Sequence, residues 1–273
     1  MAQLIVIKPK NRFSLADLAE IWQYRELLYF LTWRDLKVRY KQTVIGIAWV
    51  LFQPFISMVV FSVFFGNFAK LPTDGAPYPI FVFLGLLFWQ FFSTSVSDIS
   101  NCLINNQHII TKVYFPRVLL PLSLILTRFV DFLVAMIILV GLMIYYGFTP
   151  GLSGWFIFPV LCLVAAMAAL GLGLFFASLN IKYRDVRHVL PFFIQTLMFV
   201  TPVVYSTSIL GQYGWILAFN PIGGVIKTAR SEFLHSYTTN WLQFGLSAVA
   251  CVILLIIGWL YFRQAERYAV DTL

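Results

Sequence analysis

Charge is scarce in this chain. Asp, Glu, Lys and Arg together make up 11% of its 273 residues, against about 25% in a soluble domain. Hydrophobic residues reach 60% and the mean hydropathy is +0.85. So little polar surface cannot cover so much apolar side chain in water, which excludes an ordinary soluble domain and points to lipid as the outer solvent. Cysteine is also rare. Cys102, Cys162 and Cys251 are odd in number, have no C-x-x-C spacing and fall in or beside apolar runs, so they read as small buried residues rather than ligands. His108, His188 and His235 are scattered, with no matching cluster of acids or cysteines. There is no G-x-x-x-x-G-K-[ST] phosphate loop, no H-E-x-x-H and no G-x-S-x-G. The expectation is a chain without catalytic, metal or cofactor-binding residues of its own.

Long apolar runs are abundant. A helix needs about 20 mostly apolar residues to cross the hydrocarbon core. From Gln42 to Ala69 there is no formal charge, and a first span is predicted at Val44–Gly66. Further spans are expected at Tyr78–Val96, Val118–Tyr146, Trp155–Leu179, Val189–Ile209 and Trp241–Phe262, with "YYGFTPGLSG" dividing the third from the fourth. The fold expected is an all-α membrane protein of six transmembrane helices. The first residues carry acids ("NRFSLADLAEIWQYRELL") rather than a basic patch before a short apolar core, so no signal peptide is expected. The organisation predicted is a cytoplasmic N-terminus (1–43), a transmembrane domain (44–262) and a cytoplasmic tail (263–273).

The loops are asymmetric in charge. With six spans, fifteen of the nineteen Lys and Arg residues fall on one side, three on the other, and Arg128 inside a span. The positive-inside rule makes the basic side cytoplasmic and places both termini there. The net charge of +8 is then accounted for by topology and anionic lipid, with no need of a nucleic-acid partner.

Four segments stand out. In "LTWRDLKVRYKQ" the residues Trp33, Arg34, Lys37, Arg39 and Lys41 precede the first span. Arg34, Lys37 and Lys41 share a helix face, with Leu27, Leu31 and Val38 beside it, which predicts an interfacial helix over Glu20–Tyr40. Asp35 and Arg39 have i,i+4 spacing. Second, Arg128 and Asp131 are three apart within an otherwise apolar span, where an unpaired charge is costly, so they read as a neutralised pair or a substrate-facing one. Third, "FVTPVVYSTSILGQYGWILAFNPIGGVIKTARSEFL" is too apolar for an aqueous loop and too broken for a span. Pro202 interrupts the helix; Tyr205, Pro221 and Arg230 lie in what reads as short re-entrant helices of a gate. The cytoplasmic stretch "NNQHIITKVYFPR" is in turn too apolar for a solvent loop. A short helix burying Ile109, Val113 and Tyr114 against a partner is expected there, with Lys112, Phe115 and Arg117 beside it.

The stretches "WRDLKVRYKQTVIGIAWVLFQP" (33–54), "KVYFPRVLLPLS" (112–123), "LNIKYRDVRHVLPF" (179–192), "TPVVYS" (201–206) and "NPIGGVIKTARSEF" (220–233) occur in order along the chain. In these the chain resembles the membrane subunit of ABC-2 type exporters, in the branch that exports O-antigen, capsular polysaccharide and teichoic acid. "CLINNQHIITK" departs mildly from that pattern. The resemblance implies six transmembrane helices behind an interfacial helix at Trp22–Tyr40, a coupling helix around 104–116 and gate helices at 210–240. It implies a homodimeric pore bound to two copies of a separate ATPase that carries ATP and Mg. It implies a glycan on undecaprenyl diphosphate, O-antigen first, as substrate, moved outward across the bacterial inner membrane. The alternatives are another ABC-2 substrate such as a drug or smaller lipid, an ion-driven secondary transporter, or a transferase acting on a lipid-linked sugar.

Overall fold

The computed structural model describes residues 21–41, 46–183, 185–235 and 238–272. The expectations for residues 1–20, for the start of the first span at Val44 and for Arg184 lie outside these. The helices in chain order are α1 (Arg25–Lys41), α2 (Gly46–Phe61), α3 (Tyr78–Asn105), a single turn α4 (Gln107–Ile110), α5 (Leu119–Tyr146), α6 (Leu152–Lys182), α7 (Val186–Val200), α8 (Pro221–Leu234) and α9 (Trp241–Thr272). A π-helical turn, Ser62–Phe68, extends α2, and a 3₁₀ segment, Thr207–Phe219, precedes α8.

Among the described residues, five helical stretches are long and apolar enough to cross a membrane: Ala48–Phe68, Tyr78–Asn105, Leu119–Tyr146, Leu152–Lys182 and Trp241–Glu266. The expected fifth span, Val189–Ile209, is not one helix. It is the shorter apolar α7, then irregular backbone, then the 3₁₀ segment. Pro202 has no N–H to continue the ladder, and the chain turns where it sits. Two other spans are longer than their apolar cores. The helix of α3 runs nine residues beyond Val96, and α9 runs ten beyond Phe262, through segments read above as loop and tail. Neither extension contains Gly or Pro, and polar side chains such as Asn101 turn back onto the helix, donating to the Ser97 carbonyl at 2.9 Å.

Helix α3 is apolar on every side from Ile80 to Phe88, and it is correspondingly the buried centre, packed by α2, α5, α6 and α8. Helices α6 and α9 approach each other closely at the backbone. A Cβ on Gly258 would stand 2.1 Å from the Gly171 carbonyl oxygen. With no hydrophobic driving force between helices in lipid, such contacts hold spans together by dispersion, which requires glycine at the crossing. Helices α2 and α9 bury little of their surface in the protomer and present large apolar side chains outward.

The bundle has two distinct ends. One gathers α1, α4, the start of α5 and the far end of α9; the other gathers the 71–77 loop, the 3₁₀ segment and α8.

Candidate functional site

At the first end, α1 lies against α5. Leu31 is buried on the inward side. Val38 was expected beside it but is 54% exposed, because the inward side of the last turn is taken by Arg39 and Tyr40. Trp33, Lys37 and Lys41 face outward. Asp35 is gripped by Arg34 at 2.8 Å, and Arg34 also donates to the Asn106 side chain at 3.2 Å. That second bond ties α1 to the junction of α3 and α4.

Arg39 reaches instead into a charge cluster between the helices. It pairs with Asp131 and stands 3.6 Å from Asp98. Arg128 pairs with Asp98 at 2.6 Å and with Asp131 at 3.2 Å. The expected Arg128–Asp131 pair thus exists, as half of a four-residue network that also takes in Arg39 and Asp98. The Tyr40 hydroxyl donates to Asp131, and burial, then this acceptor, pushes its pKa up. Each arginine touches both carboxylates, so the cluster is charge-balanced. It knits α1, α3 and α5 together at one level.

The loop after α4 divides the residues read as coupling contacts. Val113 and Tyr114 are well exposed, Tyr114 by 67%, and Lys112 is exposed beside them. Ile109 is half-buried against the core. Phe115, by contrast, is 5% exposed and belongs to the packing beneath the loop, so it offers nothing to a partner. Arg117 is held within the chain. Its guanidinium donates to the Glu266 carbonyl of α9, and its backbone N–H to the Glu266 carboxylate at 3.4 Å.

At the other end the irregular backbone of 201–206 is buried. Buried carbonyls outside a helix require donors, and Arg230 supplies them. This side chain is 1% exposed. It donates to the carbonyls of Pro202 at 2.7 Å, Val203 at 2.5 Å, Tyr205 at 3.4 Å and Phe81 at 3.2 Å, with its guanidinium 3.6 Å from the Phe81 ring centroid. Tyr78 donates its hydroxyl to the Val204 carbonyl at 2.7 Å. Asn220 caps α8, accepting from Ile222 and Gly223 N–H groups at 3.2 and 3.0 Å while its amide donates to Thr201 at 2.9 Å. Pro221 at the first helical position suits this start. Three of the four expected gate residues, Pro202, Tyr205 and Arg230, therefore meet at one point, while Pro221 stands apart from them at the start of α8.

Sequence reasoning missed Gly85, whose absent Cβ makes room for the Arg230 Nη2 at 2.5 Å and the Val203 oxygen at 2.6 Å. It missed Asp98 and Tyr40 as members of the charge cluster. The Asn-Pro step at 220–221 was a legible helix start; the others had no local signal. Among the described residues, no group of three or more His, Cys, Asp and Glu is placed to hold a metal ion.

The membrane-length apolar helices, five among the described residues, with charge confined to matched clusters and helix ends, define a multi-pass all-α integral membrane protein. Residues 26–234 match the ABC-2 type transporter family, and the chain belongs to it. It is 28% identical over 246 residues to the O-antigen export system permease protein RfbA of Klebsiella pneumoniae, covering 89% of this chain and 94% of that one. It is 29% identical over 256 residues to the RfbA permease of Myxococcus xanthus, covering 92% and 96%. Against the polysialic acid transport protein KpsM of Escherichia coli the identity is 22% over 243 residues, covering 86% and 91%.

Proposed function

We propose that this chain is the permease subunit of an ATP-driven exporter that moves undecaprenyl-diphosphate-linked polysaccharide, foremost O-antigen, to the outer side of the bacterial inner membrane. Near-full-length likeness to two O-antigen export permeases carries this reading. Capsular polysaccharide is the second choice, favoured by the weaker likeness to KpsM.

The geometry supplies a mechanism. The end holding α1 and α4 is cytoplasmic by its Lys and Arg excess. A separate ATPase binding ATP and Mg docks on Lys112, Val113 and Tyr114, which stand free on a loop otherwise anchored by Phe115 and Arg117. Its closure pushes α4 and the contiguous α3. Arg34–Asn106 and the charge cluster carry that motion to α1 and α5. Helix α7 makes the sixth crossing: its 15 residues rise only about 22 Å, short of the ~30 Å core, and residues 201–219 complete the passage under cover of α8. Irregular backbone is tolerated at such depth when protein covers it, which is the service of Arg230. Two copies, joined through faces such as the little-covered α2, form the pore.

The test uses inverted membrane vesicles carrying the chain, its ATPase and lipid-linked glycan. Added ATP should move glycan into the lumen, measured as protection from an added glycosidase. Tyr114→Ala should abolish protection at normal levels of inserted chain. ATP-independent protection, or hydrolysis by the purified chain alone well above background, refutes the reading.

A further inference from the structure

A cavity of about 510 Å³ lies between α2, α3 and α5, inside one protomer. That volume is in the range of small-ligand sites. Arg39, Arg128 and Asp131 close its charged end, and Trp49, Phe91 and Phe132 contribute aromatic walls. Gln53, Gln90 and Thr94 also line it.

Three observations define what fits. First, each arginine at the charged end already contacts both Asp98 and Asp131. Among the described residues the two arginines are balanced by the two carboxylates, so a phosphate or diphosphate would have to displace a carboxylate to be held. Second, among the described residues neither the Gln53 nor the Gln90 side-chain amide has a hydrogen-bond partner in the protein, although both sit on membrane-length helices. An acyl chain filling the cavity would leave both amides unpaired, at a desolvation cost that an uncharged hydrogen-bonding ligand removes. Third, Trp49 is 56% exposed at the cavity wall. The negative π-face of an indole matches the positively polarised C–H face of a pyranose ring.

We propose that this cavity binds one uncharged sugar residue of the lipid-linked glycan. The ring packs on Trp49, and its hydroxyls bond to Gln53, Gln90 and the Asp131 carboxylate. The proposal deepens the exporter reading, and rests on it, by naming the part of the substrate that each protomer holds. The diphosphate is held elsewhere.

The experiment photolabels the full chain, with its ATPase in lipid nanodiscs, using octyl glucoside bearing a diazirine on the alkyl chain. Saturable labelling of α2, α3 and α5 peptides around the cavity is expected. Unlabelled octyl glucoside should compete, and octyl phosphate should not. Replacing both amides, Gln53→Leu with Gln90→Leu, should weaken the labelling affinity about tenfold, as expected for two neutral hydrogen bonds. Trp49→Ala should weaken it independently. Competition by octyl phosphate at equal concentration would make this an anion site and overturn the proposal. Equal labelling by an octyl phosphocholine bearing the same diazirine would make it a phospholipid cleft, with the same consequence, and so would the absence of saturable labelling. Failure here with ATP-driven glycan protection intact removes the sugar site alone; saturable, glucoside-selective labelling without glycan protection removes the exporter reading and leaves the site.

Discussion

Replacing Arg230 tests whether one side chain holds the broken backbone of residues 201–206. Arg230→Met keeps much of the volume and removes every donor. The Pro202 and Val203 carbonyls, bonded at 2.7 and 2.5 Å, lose their guanidinium partner in a site that water does not reach. An unsatisfied buried acceptor costs about 1–3 kcal/mol, so the two together cost about 2–6 kcal/mol. Contact of the cation with Phe81 adds up to about 2 kcal/mol when desolvated. Relief from burying a charge offsets part of this, and a net loss of about 3 kcal/mol is expected, close to a hundredfold in the local opening equilibrium. Arg230→Lys should fall between, since an ammonium cannot fork toward carbonyls in several directions. Gly85→Ala should resemble Arg230→Met, because its Cβ would stand 2.5 Å from Nη2. The double variant should cost less than the sum, since the clash with Nη2 disappears with the guanidinium. The assay is hydrogen exchange across residues 201–206 in nanodiscs, with Tm by fluorescence-detected size exclusion as a second readout. Unchanged protection in Arg230→Met, or strict additivity in the cycle, would refute the reasoning.

Gly258→Ala forces α6 and α9 apart at the Gly171 carbonyl; overpacking of this kind costs about 1–3 kcal/mol, and Tm should drop while Gly245→Ala, with open space around its Cβ position, leaves it alone. Asp131→Asn leaves Arg39 and Arg128 with Asp98 as the one carboxylate of the cluster and should destabilise by about 2–3 kcal/mol, below the fully buried range because Asp98 remains beside both arginines and these side chains keep some exposure; Tyr40→Phe removes one hydrogen bond and should cost about 1–2 kcal/mol, both read as Tm shifts. Burial lowers the pKa of Lys227, with Asp74 opposing. Its charged form is therefore disfavoured on folding, a cost fully present below the folded pKa and lost as pH rises toward the ordinary 10.5. Wild type should gain Tm relative to Lys227→Gln over that rise, and a constant difference would show that burial exerts no such penalty.

Composition alone determined that this chain lives in lipid, because 11% charge cannot clothe 60% hydrophobic residues in water. Apolar run lengths located the membrane helices to within a few residues where the runs end in Gly or Pro, as at Tyr146 before Gly147, which takes a left-handed φ of 72°. Where no breaker follows, the run length misled, and α3 and α9 continue past their apolar cores. The disruption at Pro202 was also legible, since a missing N–H is a local property. What satisfies the stranded carbonyls was not: Arg230 and Gly85 are 145 positions apart, and only the packing of α8 on α3 joins them. The charge cluster has the same character. Arg128 and Asp131 are neighbours on one helix and could be paired by spacing, but Arg39, Tyr40 and Asp98 come from two other elements. Helical periodicity fixes which side chains share a face. It carries no information on which faces meet, and that was decided by the tertiary structure, where burial makes every unpaired charge, donor and carbonyl costly enough to choose its partner across the fold.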